Sequence, residues 1–133
     1  MKFEGQYLTF NEYQALGGTL NDDNAFDLLE YEVRKKINLR TQNRLVNLTE
    51  IPFDVKMCVN RLIDKVNIWI KNEKKHDDNK ASESVGSYSV SFITGSQIVE
   101  TLNAHNVEVE DIMLEYLYGV KVNNVHVLYL GAN

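Results

Sequence analysis

Histidines, a cysteine and clustered carboxylates are the residues of this 133-residue chain that could bind a metal or act as nucleophiles. The three histidines, His76, His105 and His126, are far apart, and none has a second ligand at the spacing typical of a zinc site. We expect them on the surface or in turns. The cluster Asn21-Asp22-Asp23-Asn24 lacks the central glycine and closing glutamate of a calcium loop, so it predicts a helix start. We expect no metal and no cofactor.

Cys58, the only cysteine, lies in an apolar stretch without a nearby base to lower its thiol pKa. We interpret it as a buried core residue; a single cysteine also excludes an intrachain disulfide framework and is typical of a reducing compartment. Gly17-Gly18 lacks the lysine and further glycines of a phosphate loop. No carboxylate has the apolar flanks that would raise its pKa, so we expect the acids on solvated helix faces. The sequence therefore predicts no catalytic residues and no enzymatic activity.

The formal charge of -5 is distributed unevenly along the chain. Residues 1–32 contain seven acids and one base, whereas residues 33–80 contain twelve bases and six acids. This asymmetry favours contacts between the acidic part of one copy and the basic part of another, but it equally fits helix ends that complement their own dipoles. The middle segment could also bind phosphate through Arg34, Lys35, Lys36, Arg40 and Arg44.

Apolar periodicity predicts a mainly α-helical bundle that forms one domain over residues 1–133. Thr9-Phe10-Asn11-Glu12 has the form of a capping box for a short helix over 10–16. A second helix begins after Asn21-Asp22-Asp23 and continues to Arg40-Thr41.

The most regular apolar stripe begins at Val55, ends at Ile70 and predicts a long helix over about 53–74. Because Met57, Cys58 and Ile68 lie off this stripe, we expect the helix to be central to a bundle or an assembly.

Polar composition marks residues 71–95 as a flexible linker followed by a strand arm. Within the arm, Tyr88, Val90 and Phe92 alternate with serines, which is strand periodicity. A lone strand cannot pair its own backbone, so it pairs either with the chain's own C-terminal end or with a neighbouring subunit. The expected arm interface consists of Ser84, Val85, Gly86, Tyr88, Val90 and Phe92.

The C-terminal part predicts two helical segments, interrupted near His105-Asn106, and then a hairpin. Its strands, Val120-Lys121-Val122 and Val125-His126-Val127, flank Asn123-Asn124, whose residues tolerate a positive φ. A second apolar row, Leu114 and Tyr118, lies four residues apart on the last helix. Together with Tyr129 and Leu130 it forms a possible second interface.

Five segments resemble one family: Tyr13-x-x-Leu16-Gly17-Gly18, the helix with Ala25, Phe26 and Leu29, Ile51-Pro52-x-x-Val55-Lys56-Met57-Cys58, residues 82–92, and Leu128-Tyr129-x-Gly131. On these residues the chain resembles the head-tail connector proteins of long-tailed bacteriophages and prophages, which are also described as head-completion or DNA packaging proteins. The resemblance covers about residues 7–93 and the C-terminal end.

This resemblance implies a structural virion protein without catalysis. Its subunits would form a ring of about twelve copies that docks beneath the portal protein after DNA packaging. The ring would extend the DNA channel, let DNA pass without sequence-specific binding, and support a downstream stopper or tail-completion protein. The expected location is the head-tail interface of the virion, with assembly in the host cytoplasm and no membrane contact. The alternative function is a small regulatory DNA-binding helical protein that uses the basic segment 33–80.

Overall fold

The computed structural model describes residues 3–81 and 93–130, and for residues 74–81 it describes the backbone alone. These parts contain α1 (Phe10–Ala15), α2 (Asp23–Arg40), α3 (Phe53–Ala81), α4 (Gly95–Ala104), α5 (Asn106–Leu117), β1 (Lys121–Val122) and β2 (Val125–His126). The prediction of a mainly α-helical fold with a short C-terminal hairpin is confirmed. The predicted strand arm, with Ser84, Val85, Gly86, Tyr88, Val90 and Phe92, lies outside the described residues.

Helix α3 is the centre of the bundle, because α2, α4 and α5 all pack against it. The predicted stripe is buried at Val55, Val59, Leu62, Ile63, Val66 and Ile70. Cys58 is also fully buried, and this burial raises the pKa of its thiol to about 12. Both the central position of the helix and the interpretation of Cys58 as a core residue are confirmed.

Both predicted N-terminal caps are present. The Thr9 hydroxyl accepts a hydrogen bond from the Glu12 N–H at 3.1 Å, and the Glu12 carboxylate accepts one from the Thr9 N–H at 3.0 Å. The Asp22 carboxylate accepts from the N–H groups of Asn24 and Ala25 at the start of α2. These bonds satisfy donors that a helix start otherwise leaves without partners.

The turn after α1 is fixed by the buried ring of Tyr13. Its hydroxyl donates to Asp64 on α3 and accepts from the Leu20 N–H at 2.8 Å. Burial, together with the bond to Asp64, raises the pKa of Tyr13 to about 12. Gly17 supplies a φ of +94°, and Gly18 lies so close to Tyr13 that a Cβ there would be 2.3 Å from the ring. This turn and the bond from Tyr13 to Asp64 together hold α1 against α3.

Helix α3 continues past the predicted end near residue 74 as far as Ala81. The first part of the segment expected as a linker is thus helical. A polar segment without an apolar stripe can extend an existing helix, because propagation does not repeat the cost of nucleation.

The predicted C-terminal hairpin is confirmed, and its turn is made by Asn123 and Asn124 with φ of 53° and 67°. Lys121 pairs with His126 and Val122 with Val125. The Val127 N–H donates to the Val120 carbonyl at 3.0 Å, which extends the antiparallel pairing by one more bond.

Candidate assembly surfaces

Helix α5 is apolar on two sides. One side is buried against the bundle through Val109, Met113 and Leu117. The other carries Val107, Leu114 and Tyr118, which are 73%, 41% and 75% exposed. Apolar side chains exposed along one side of a helix make that side a candidate contact surface. The predicted row of Leu114 and Tyr118 is therefore at the surface, and it is longer than predicted because Val107 joins it.

Three carboxylates share this exposed side of α5. Glu108, Asp111 and Glu115 lie about one turn apart along the helix and are all exposed. We call the surface formed by these acids with Val107, Leu114 and Tyr118 the acidic α5 face. Asp111 and Glu115 form no ion pair with any residue that the structure describes.

Glu108 is instead paired locally with the residue between α4 and α5. Its carboxylate lies 3.0 Å from Nδ1 of His105, whose ring stacks on Trp69 at 3.8 Å between centroids. Trp69 belongs to α3, so this stack fixes the start of α5 on the central helix. The prediction that the histidines lie on the surface or in turns is confirmed for His105, which is in the turn between α4 and α5.

Two arginines from the basic middle of the chain hold the C-terminal segment. Arg40 binds Glu110 at 2.9 Å and donates to the Leu128 carbonyl at 3.3 Å. Arg44 donates to the carbonyls of Val127 and Tyr129, and its guanidinium lies over the Tyr129 ring. Their anchoring leaves the side chains of Tyr129 and Leu130 exposed.

A groove of about 220 Å³ lies between α2 and α4. It is lined by Glu32, Lys35, Lys36, Leu39, Val99, Leu102 and Asn103, and we call it the α2–α4 groove. Leu39 is 77% exposed and Val99 is 42% exposed, so its apolar lining is open to solvent. Lys35 lies 3.9 Å from Glu32, whereas Lys36 has no ion pair within the described part of the chain. The groove thus combines apolar side chains with a small excess of positive charge, two lysines against Glu32.

Part of the charge asymmetry is neutralised inside the subunit. Lys56 binds Glu12, Arg40 binds Glu110, and Arg34 binds Glu30 on the same helix. The bond from Lys56 and that from the Thr9 N–H keep the pKa of Glu12 below its ordinary value, against the opposing effect of partial burial. These bases therefore have partners before any second copy or nucleic acid is added.

The expectation that the acids lie on solvated helix faces is wrong for Asp27, which is buried, and for Glu30. The Glu30 side chain is fully buried, and it accepts hydrogen bonds from the Tyr7 N–H at 2.8 Å and from Arg34. Burial raises the pKa of Glu30 despite these two partners. The sequence did contain the signal, since Glu30 lies four residues after Phe26 and three before Val33 on the buried stripe of α2.

Of the predicted interface residues, the structure places Leu114, Tyr118, Tyr129 and Leu130 at the surface. It adds two features that sequence reasoning missed, Val107 and the α2–α4 groove. Val107 could have been found from its spacing, because it lies seven residues before Leu114. The groove depends on the packing of α2 against α4, which no local pattern reveals.

Among the described residues, no three His, Cys, Asp or Glu side chains come together as a metal site would require. No described helix combines the length and apolarity needed to cross a membrane. Comparisons of the chain with protein-family models, curated proteins and solved structures find no match.

Proposed function

We propose that this protein is a structural subunit of a phage virion, a head-tail connector that forms a ring beneath the portal. The observation that carries the proposal is the acidic α5 face. Val107, Leu114 and Tyr118 are exposed although the core of the subunit is already formed by other residues. Such a surface suits a protein whose partners are other proteins.

The family resemblance supplies the identity of those partners. They are further copies of this chain, the portal protein, and a stopper or tail-completion protein on the other side of the ring. The exposed acids near the N-terminus, Glu4, Asp22 and Asp23, suit a channel through which DNA moves, because like charges prevent adhesion. On this proposal the protein acts in the virion at the head-tail interface and performs no chemical reaction.

A phage that lacks this gene tests the proposal. We expect DNA-filled heads and separate tails to accumulate, with infectivity restored when the gene is supplied in trans. Heads that join tails normally without the gene product would contradict the proposal.

The alternative function is DNA binding. The structure leaves fewer basic side chains unpaired for this function than the sequence suggests. Arg34 is paired with Glu30, Arg40 with Glu110, and Arg44 is held by carbonyls of the C-terminal segment. Of the five bases considered for phosphate binding, Lys36 has no ion pair among the described residues, and Lys35 lies 3.9 Å from Glu32. The alternative predicts duplex binding that weakens steeply with salt. Fluorescence anisotropy without binding at about 50 mM salt would exclude it.

A further inference from the structure

We propose that the α2–α4 groove is the docking site for the acidic α5 face of a second copy of this chain. This inference rests on the proposed ring and names the two surfaces that would join neighbouring subunits. The contact would insert apolar side chains of α5 between Leu39 and Val99, with Asp111 and Glu115 near Lys35 and Lys36.

Charge complementarity is the first argument for this occupant. The groove presents Lys36, which has no ion pair among the described residues, and Lys35, which lies 3.9 Å from Glu32. The α5 face presents Asp111 and Glu115, which also lack ion pairs there. Opposite charges on two surfaces favour one orientation of the contact, and like charges oppose a contact between two α5 faces or two grooves.

Apolar complementarity is the second argument. Each surface combines large exposed apolar side chains with charged ones, a combination that protein–protein interfaces use. The groove is smaller than the roughly 300–1,000 Å³ of pockets for small-molecule ligands. Its size suits one or two side chains, such as those of Leu114 and Tyr118.

The two surfaces share no residue, and when two copies join through one groove and one α5 face their contact is heterologous. Each bound copy still has one free groove or one free α5 face, and repetition of the contact therefore closes a ring or extends a filament. A second copy is thus an occupant that leads to the assembly the proposed function requires.

Disulfide capture between two cysteine variants tests the contact. Val99→Cys places a cysteine in the groove, and Leu114→Cys places one on the α5 face. The two proteins carry tags of different mass and are mixed under oxidising conditions. We expect the Val99→Cys and Leu114→Cys pair to cross-link at least tenfold faster than a control pair of Val125→Cys with Leu114→Cys. Val125 is a matched control because it is 38% exposed and does not line the groove.

Wild-type chain is a second control, since its buried Cys58 should not cross-link. Capture traps short-lived complexes as well as stable ones, so weak association does not hide the contact. Equal cross-linking rates for the test and control pairs would overturn the proposal. This would also be the result if the groove binds a different protein and not a second copy of this chain.

Charge reversal provides an independent test. Lys35→Glu/Lys36→Glu and Asp111→Lys/Glu115→Lys are each introduced into both the Val99→Cys and the Leu114→Cys proteins. We expect a pair in which both proteins carry the same reversal to cross-link at least tenfold more slowly, because its two surfaces have the same sign. When the lysine reversal is on the Val99→Cys protein and the acid reversal on the Leu114→Cys protein, we expect the rate to recover.

All four reversed residues lie at or near the surface, so we expect each variant to fold. Circular dichroism of each variant is the control for folding. A combination of the two reversals that does not recover would contradict the proposed pairing.

Failure of this inference can be told apart from failure of the proposed function. If rings form on the portal but the Val99→Cys and Leu114→Cys variants do not cross-link within them, the function stands and this contact is wrong. If the cross-link forms but the protein does not bind portal, the contact stands and the connector function is wrong.

Discussion

Position 18 requires glycine because the ring of Tyr13 lies directly against it. A Cβ at this position would lie 2.3 Å from ring atoms that cannot move away easily, because Tyr13 is buried and bonded to Asp64 and to the Leu20 N–H. We expect Gly18→Ala to lower the free energy of unfolding by about 1–3 kcal/mol, the usual cost of overpacking. Urea denaturation measures this change.

Gly119→Ala is the matched control, since a Cβ at Gly119 would meet no atom within 4 Å. We expect a change within about 0.5 kcal/mol. Equal effects of the two substitutions would show that the contact with Tyr13 is not the reason for glycine at position 18.

Glu30 gives the stability of the protein a pH dependence with a definite sign. Its pKa in the folded state lies above the ordinary value of 4.5 because the side chain is buried. Folding therefore favours the protonated acid, and this contribution is fully present below pH 4.5 and is lost as the pH rises through the raised pKa. Glu30→Gln removes the titration.

We expect the free energy of unfolding of the wild type, relative to Glu30→Gln, to decrease from acidic to neutral pH. Urea denaturation across this pH range measures the difference, with Glu50→Gln as the control at an exposed glutamate. A difference that increases with pH would mean that the Arg34 pair outweighs burial and lowers the pKa instead.

At the scale of elements, α5 has one apolar side buried in the bundle and one exposed to solvent. Met113→Ala removes a buried side chain and should lower the free energy of unfolding by roughly 2–5 kcal/mol. Leu114→Ser with Tyr118→Ser changes exposed side chains and should alter it by about 0.5 kcal/mol per substitution or less.

The same double variant should fail to restore infectivity to a phage that lacks the gene. On this helix, Met113→Ala therefore tests stability, whereas Leu114→Ser/Tyr118→Ser tests assembly. Full complementation by Leu114→Ser/Tyr118→Ser would show that the acidic α5 face has no role in assembly.

Helices were predictable where apolar spacing or capping residues are strong. The Val55–Ile70 stripe predicted the central helix, and Thr9 with Glu12 predicted the start of α1. The continuation of α3 to Ala81 was missed, because its polar residues carry no stripe and composition alone favours a linker. The α2–α4 groove and the anchoring of the C-terminal segment by Arg40 and Arg44 join residues that are distant in the sequence, so no local pattern could predict them.

At the scale of the whole molecule, the strand arm stays a prediction from the sequence. Replacing Tyr88, Val90 and Phe92 together by serine would remove its apolar face, whereas replacing Ser87, Ser89 and Ser91 together by alanine would keep it. We expect the first variant to block head-to-tail joining in an assembly assay and the second to preserve it. Unchanged head-to-tail joining with the first variant would show that the apolar face of the arm is not needed for assembly.

The uneven charge of the chain also fits a connector. Some of the bases neutralise acids within the subunit, as Arg40 does with Glu110 and Lys56 with Glu12. Lys36 of the α2–α4 groove and Asp111 and Glu115 of α5 have no ion pair among the described residues, which suits the proposed contact between copies. The net charge of -5 then suits a ring that surrounds DNA without binding it tightly.

Electron microscopy of the portal protein from the same phage, with and without this protein, tests the connector function most directly. We expect an additional ring of density on one end of the portal, coaxial with its channel, when the protein is present. Portal particles that remain identical in the presence of excess folded protein would contradict this function.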